Sequence, residues 1–147
     1  MELRRIIDLV ENDFAFLNRM GLRAEILEPC RVKLKLPLAG NENHMGTVWA
    51  GALFTLAELP GGVLIYTTFE DNPFVPLVKE MNIKFLKPAR TDVEIEMSMD
   101  SREAARLARE ARETGHVDFT LEGEVKDTHG QVVAATTGYY RMQKMKG

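Results

Sequence analysis

The most restrictive feature of this 147-residue sequence is an apolar run from Thr47 to Thr68 in which Glu58 is the single formally charged side chain. Its length approaches the ~20 apolar residues that span a bilayer. An acid at the centre of a span is costly, and Pro60-Gly61-Gly62 weakens the second half of a helix. The run therefore favours a helix enclosed by protein. A bend or break is expected near Ala57, because an interior proline removes a backbone hydrogen bond.

Composition indicates one soluble globular domain that spans residues 1–147, with 45% hydrophobic and 28% charged residues. A net charge of -3 and a pI near 5.7 argue against nucleic acid or an anionic membrane as the primary partner. The single cysteine, Cys30, excludes an internal disulfide and fits a reducing compartment. Acids interrupt the apolar residues of the amino terminus before an export signal could form, so a cytoplasmic location is expected.

An amphipathic helix is predicted for Leu3 to Leu17, where one apolar stripe recurs at helical spacing and Gly21 ends the segment. Four further segments alternate like half-buried antiparallel strands or hairpins. The predicted buried positions are Val32, Leu34, Leu36 and Leu38; then Leu77, Met81, Ile83 and Phe85; then Val93, Ile95, Met97 and Met99; and finally Val117, Phe119, Leu121 and Val125, before a turn at 127–130 and a last strand to Met142. This order predicts an α+β fold in which an antiparallel sheet of about six strands curls around one long central helix.

Local details follow from the same patterns. Thr47 is a candidate cap for the central helix, and Cys30 falls on a predicted strand. A second, solvated helix from Ser101 to Gly115 is predicted, with Ser101 as its cap. Its expected ion pairs are Arg106–Glu110 and Arg109–Glu113, four residues apart. The small residues Gly123, Ala134 and Gly138 would allow the late strands to curve.

The position of Glu58 admits two interpretations. On a helix it shares its face mainly with small residues and one aromatic: Gly51, Phe54, Thr55, Gly61 and Gly62. In the first interpretation Glu58 has a structural role only: it is exposed, or it is paired with a lysine such as Lys79 or Lys84, because a buried carboxylate needs partners. The alternative is a catalytic carboxylate in a cleft.

The chain resembles the hotdog-fold acyl-CoA thioesterases, and most closely their phenylacetyl-CoA-type branch and related uncharacterised hotdog domains. In that branch an asparagine is followed by a His-Gly-Gly stretch that opens the central helix, and then by Leu-Phe-Ser-Leu-Ala-Asp. The final aspartate is the acid, fifteen residues after the asparagine. Here Asn43 precedes Glu58 by fifteen, and Trp49-Ala50-Gly51 and Leu53-Phe54-Thr55-Leu56-Ala57-Glu58 fall in the same frame. Residues 81–90 resemble the following strand and turn, and residues 115–140 resemble the closing hairpin.

The resemblance implies hydrolysis of an acyl-CoA thioester without metal or redox cofactor, coenzyme A being part of the substrate. Glu58 would be the general base or the nucleophile, and the helix-start N–H of Ala50 or Gly51 would stabilise the oxyanion. Asn43 would hold the water or the carbonyl. The family places its active site at the interface of a homodimer, so a homodimer or a dimer of dimers (homotetramer) is expected, with the acid and the helix start contributed by different subunits.

This chain departs from the branch at three positions. Trp49 stands in place of the histidine, Ala50 in place of the first glycine, and Val78 where related enzymes carry a serine or threonine. His44 is out of frame and reads as a loop residue. The departures keep a second hypothesis open, a non-catalytic acyl-CoA or small-ligand binding module on the same fold. Dehydratase chemistry has less support, because it pairs a histidine with an acid and no histidine is placed here in frame.

Contacts with the substrate are assigned from residue type. Trp49, Phe54 and Thr55 are candidates for the acyl group, although aromatic residues on such a helix are often core. Positive groups for the coenzyme phosphates would be Lys84, Lys87 and Arg90, although ordinary solvated side chains explain them equally well. Three scattered histidines offer no metal-ligand spacing.

Overall fold

The protein, described by a computed structural model over residues 2–69 and 73–146, is built on one antiparallel sheet. Its six strands lie in the spatial order β1-β2-β4-β5-β6-β3. They are β1 (Arg23–Glu28), β2 (Arg31–Leu36), β3 (Phe74–Phe85), β4 (Val93–Ser98), β5 (His116–Asp127) and β6 (Val132–Lys144). The predicted α+β fold is confirmed.

The long central helix, α3 (Ala50–Thr68), lies on the inner face of this sheet. It begins at Ala50, and Trp49 rather than Thr47 occupies the capping position, without a side-chain cap. Thr47 is buried in the preceding loop instead. Of the bend or break expected near Ala57, the break is wrong, because α3 continues through the buried Pro60 to Thr68. Packing of the helix against the sheet outweighs the one backbone hydrogen bond that the proline removes.

Burial explains the apolar composition of α3. The helix is long and apolar enough to cross a membrane by length and composition, yet more than half of its most apolar window is buried within the fold. Leu56, Leu64 and Ile65 are fully enclosed. The interpretation as a core helix fits this burial, and a cytoplasmic location stays a prediction.

The amino-terminal segment is not the single helix that the periodicity predicts. It consists of α1 (Leu3–Asp8), a π-helical turn (Leu9–Asp13) and α2 (Ala15–Met20), with Phe14 in an extended conformation between the last two. Long-range contacts hold the turn, since the Glu11 carboxylate accepts the N–H of Ala24 in β1 at 2.9 Å. Gly21 ends α2 with φ 72°, as predicted.

The register of β3 differs from its predicted alternation. A β-bulge between Val78 and Glu80 inserts one residue against β6. Because side chains alternate with period two, the bulge moves Leu77 out of phase with Met81 and turns Val78 towards the inner face. Leu77 is 44% exposed and Phe85 is 51% exposed, so the prediction that both are buried is wrong for the single chain. β3 is also an edge strand of the sheet.

The remaining predictions of packing are mostly confirmed. Met97 on β4 and Met99, which directly follows β4, are buried core residues. A Cβ at Gly123 would lie 2.6 Å from Met97 Cε, and one at Gly138 would lie 2.8 Å from Met81 Sδ, so both glycines allow close approach. Cys30 is not on a strand: it occupies the β1–β2 turn with φ 65°.

The second predicted helix, α4 (Ser101–Thr114), is present, and Gly115 follows it with φ 93°. Its cap is Asp100 rather than Ser101, because the Asp100 carboxylate accepts the N–H of Arg102 at 2.7 Å. The Arg106–Glu110 pair is found at 2.8 Å. Arg109 and Glu113 form no ion pair within the described residues.

Candidate active site

A groove of about 730 Å³ runs beside the exposed face of α3. One wall is the amino-terminal segment, the floor is α3, and the other wall is the first half of β3. Its lining is mostly apolar, and Glu58 lies within it. The groove is lined by Leu9, Val10, Phe14, Phe16, Leu17, Phe54, Thr55, Glu58, Leu59, Gly62, Val63, Tyr66, Pro76, Val78, Lys79, Glu80 and Met81.

The Glu58 side chain is half-buried and, among the residues that the structure describes, has no ion-pair or hydrogen-bond partner. Lys79 pairs instead with Asp118 at 3.0 Å, and Lys84 lines the opposite, outer face of the sheet. The lysine pairing considered for Glu58 is therefore wrong. Burial raises the pKa of the Glu58 carboxyl above its ordinary value of 4.5. A carboxylate held this way can accept a proton more readily than a solvated one.

Tyr140 holds the turn of α3 that carries Glu58. Its hydroxyl donates a hydrogen bond of 2.9 Å to the backbone carbonyl of Glu58. The ring is 1% exposed and stacks on Phe119, with ring centroids 5.5 Å apart. Burial, and then the charge of Glu58, raises the pKa of the Tyr140 hydroxyl, which stays protonated as a donor. The position of Glu58 is thus fixed from the sheet.

This contact makes Gly61 the most space-limited glycine of α3. A Cβ built on Gly61 would overlap the Tyr140 ring, whereas one on Gly62 would meet Pro76 Cγ at an ordinary 3.6 Å. We expect Gly61→Ala to lower the free energy of unfolding by about 1–3 kcal/mol through overpacking. Chemical denaturation measures this change.

Gly62→Ala is the matched control for Gly61→Ala. It should raise the free energy of unfolding by up to about 1 kcal/mol, because alanine is the better helix former and the space exists. Equal effects of the two substitutions would show that Tyr140 does not limit the space at Gly61.

The start of α3 presents unpaired backbone donors. The N–H groups of Ala50 and Gly51 have no acceptor within residues 2–69 and 73–146, whereas the N–H of Ala52 is bonded to the Trp49 carbonyl at 2.9 Å. These donors lie at the positive end of the helix dipole, where developing negative charge is favoured. The Trp49 ring lies over Gly51, is 57% exposed and does not line the groove.

Glu58 and these donors are separated along α3. Glu58 is eight positions after Ala50, which corresponds to about 12 Å at the helical rise of 1.5 Å per residue. This separation along the helix axis is long for one thioester carbonyl to contact both groups of the same chain.

Asn43 organises the loop before α3. Its side-chain oxygen accepts the N–H groups of Met45 and Thr47 at 2.9 and 3.1 Å, and its amide donates to the Thr47 hydroxyl at 2.8 Å. The structure gives Asn43 a local structural role, and its contact with water or carbonyl stays a prediction. His44 is exposed in the same loop.

The other predicted contacts divide between two places. Phe54 and Thr55 line the groove, and the Thr55 hydroxyl donates to the Gly51 carbonyl at 2.8 Å. Lys87 and Arg90 are exposed in the loop after β3, which is tied to the start of α3 because Val48 N–H donates to the Ala89 carbonyl at 2.8 Å. They lie beside the helix start, apart from the groove.

Sequence reasoning missed two parts of the site. The groove wall formed by Leu9, Phe14 and Phe16 comes from a segment that the periodicity treated as one core-facing helix. The only available signal was the excess of apolar residues over one stripe. Tyr140 was missed as well, because its contact with Glu58 joins residues 82 positions apart. No group of three or more His, Cys, Asp or Glu side chains that could hold a metal occurs in the described part of the chain.

An antiparallel sheet of six strands wrapped around one long helix, with the candidate acid on that helix, defines a hotdog-fold protein. Within this class, the chain belongs to the family described as domain of unknown function DUF4442, whose model matches residues 4–140.

Similar solved structures support the assignment to the hotdog fold. A protein of unknown function from Pseudomonas aeruginosa, described as a probable thioesterase, is 44% identical, with a TM-score of 0.92 over 98% of this chain and 97% of that one. A putative thioesterase from Shewanella oneidensis has 18% identity and a TM-score of 0.80, covering 98% and 97% of the two chains. A Haemophilus influenzae thioesterase has 11% identity and a TM-score of 0.76, covering 100% and 94%. The last two support the fold alone. The chain matches no curated protein.

Proposed function

We propose that this protein is a thioesterase that hydrolyses an acyl-CoA. The observation that carries the proposal is Glu58, a half-buried carboxylate without a charged partner among the described residues, in an apolar groove on the central helix. The probable thioesterase from Pseudomonas aeruginosa, at 44% identity, supports thioester hydrolysis as the reaction class.

The reaction follows from the groups present. The Glu58 carboxylate takes a proton from water, and the hydroxide formed adds to the thioester carbonyl. The oxyanion is bound by the N–H of Ala50 or Gly51. The C–S bond then breaks, the proton passes to the coenzyme A sulfur, and the free acid leaves. Direct attack by Glu58, to give a mixed anhydride that water hydrolyses, is the alternative route.

The site is proposed to lie between two subunits of a homodimer. The separation of about 12 Å along α3 between Glu58 and the helix start supports a site in which a second copy brings the two groups together. The edge strand β3 supplies a surface for that copy, because it exposes Leu77, Val78 and Phe85 together with an unpaired strand edge. Such an edge is normally covered. In this proposed site Lys87 and Arg90, exposed in the loop beside the helix start, bind the coenzyme phosphates.

Release of free thiol from a panel of acyl-CoAs tests the function. We expect turnover by the wild-type protein on at least one acyl-CoA, and a dimer or larger species by analytical ultracentrifugation. Binding of an acyl-CoA without turnover on any of them would favour the alternative, a ligand-binding module. Trp49 and Val78 motivate that alternative, because neither supplies the helper group found in relatives. A strict monomer would contradict the shared site.

A further inference from the structure

The groove extends well beyond Glu58, and its far part is apolar. Along α3 the lining continues from Glu58 through Leu59, Gly62 and Val63 to Tyr66. Tyr66 is eight positions after Glu58 on the helix, which corresponds to about 12 Å. The charged residues of the lining other than Glu58, namely Lys79 and Glu80, lie on β3 rather than on this helix face.

The amino-terminal segment has two sets of apolar side chains: one set packs in the core, and the other stays exposed at the groove. Ile6, Val10 and Leu17 are buried in the core. Phe14 and Phe16 are 52% and 46% exposed and face the groove. Large apolar side chains left exposed in a concave site indicate a surface that an apolar ligand covers.

Hydrogen bonds and an ion pair fix the position of this groove wall. The Glu11 carboxylate accepts the Ala24 N–H at 2.9 Å and pairs with Arg23 at 3.2 Å. The Asn18 side-chain amide donates to the Glu11 backbone carbonyl at 2.9 Å. This bond joins α2 to the π-helical turn, with Phe14 between them. π-helical turns of this kind are frequent at functional sites. A fixed wall can select ligands by length.

We infer that the groove holds the acyl chain of the substrate, and that the preferred substrates are straight-chain, medium-length acyl thioesters such as octanoyl- and decanoyl-CoA. The inference rests on the proposed function, because it places the thioester carbonyl at Glu58. The acyl chain extends from the thioester carbonyl towards Tyr66, between α3 and the wall formed by Phe14 and Phe16. A compact aromatic acyl group would leave the distant part of the groove unfilled.

A series of straight-chain acyl-CoAs from butyryl to palmitoyl tests the length preference. We expect kcat/KM of the wild-type protein to rise about fourfold for each added CH2 up to octanoyl or decanoyl, from burial of about 0.8 kcal/mol per CH2. It should level off or fall at palmitoyl. A flat profile, or a maximum at butyryl, would overturn the inference.

Two kinds of variant test whether the acyl chain lies in the groove. Gly62→Leu places a side chain in the groove beyond Glu58 at a helix position with room for a Cβ. We expect it to lower the ratio of kcat/KM for decanoyl-CoA to that for butyryl-CoA at least tenfold. The double variant Phe14→Ala, Phe16→Ala should also lower this ratio. Leu3→Ala is the matched control, because Leu3 is an exposed apolar residue of the same segment outside the groove.

Binding separates this inference from the proposed reaction. A non-hydrolysable decanoyl-CoA thioether should bind the wild type at least tenfold more tightly than its butyryl counterpart by calorimetry, and Gly62→Leu should remove the difference. That result without turnover by the wild type would reject the hydrolase and retain the acyl groove. Loss of dimer formation by the Phe14 and Phe16 double variant, with an unchanged length preference, would overturn the inference and assign this wall to a subunit contact.

Discussion

Glu58→Gln is expected to lower kcat for acyl-CoA hydrolysis about 10³-fold, within the range that loss of a general base produces. Glutamine keeps the size of the side chain but can neither accept the proton of water nor attack the carbonyl. Free thiol release from the best substrate measures the effect, with a non-hydrolysable thioether analogue to confirm that the variant still binds. Unchanged turnover in the variant would remove Glu58 from the reaction.

The pH dependence of the wild type gives a second readout of the same group. Because burial raises the pKa of Glu58, the carboxylate becomes protonated at a higher pH than a solvated acid. The rate should therefore fall with decreasing pH through a midpoint above 4.5, and Glu58→Gln should lack this limb.

Stability should respond in the opposite direction to activity. A carboxyl whose pKa is higher in the folded state than in the unfolded state binds protons more readily when folded. Its ionised form therefore opposes folding at neutral pH, and this cost fades as the pH falls towards 4.5, where both states become protonated. We expect Glu58→Gln to unfold at a higher temperature than the wild type at pH 7 to 8, and the difference to shrink near pH 4. Equal melting temperatures at all pH values would mean that the ionised carboxylate is compensated in the assembled protein.

Ala50→Pro is expected to lower kcat by about 10²–10³-fold, the usual consequence of removing one oxyanion donor. Proline removes the N–H of Ala50 at the first helical position, where its ring is well accommodated. The residue before it, Trp49, already has the extended conformation that a following proline favours, with φ -61° and ψ 140°. The melting temperature should accordingly change little. If Ala50→Pro retains full rate, Gly51→Pro tests the neighbouring donor, and full rate in both variants would exclude the helix start as the oxyanion site.

Mixed dimers test whether the site is shared. In a dimer of one Glu58→Gln subunit and one Ala50→Pro subunit, one of the two sites combines an intact acid with an intact helix start if these groups come from different chains. Random assembly of equal amounts should restore about a quarter of the wild-type rate. A site built within one chain would give no recovery, because each chain would keep its own defect.

Most of the fold could be predicted from local patterns. Period-two alternation located β2, β4 and the β5–β6 hairpin, because each has one buried and one solvated face. The unusual acid in the apolar run identified Glu58, because burial of a carboxylate is costly enough to need a reason. Local patterns failed where a contact between distant segments decided the outcome. The bulge of β3 reversed the phase of Leu77 and brought Val78 to the groove. Packing carried α3 through Pro60.

Local sequence patterns account for the strands, the central helix and the candidate acid, but not for the divided amino-terminal segment, since the former follow from the spacing of apolar and charged residues along a short stretch. The tertiary structure alone decided the surroundings of that acid. The Tyr140 hydroxyl reaches the Glu58 carbonyl across 82 residues, Lys79 is taken by Asp118, and Phe14 and Phe16 form the groove wall. Such contacts depend on strand register and on how segments pack, which no local period encodes. They leave Glu58 half-buried and raise its pKa.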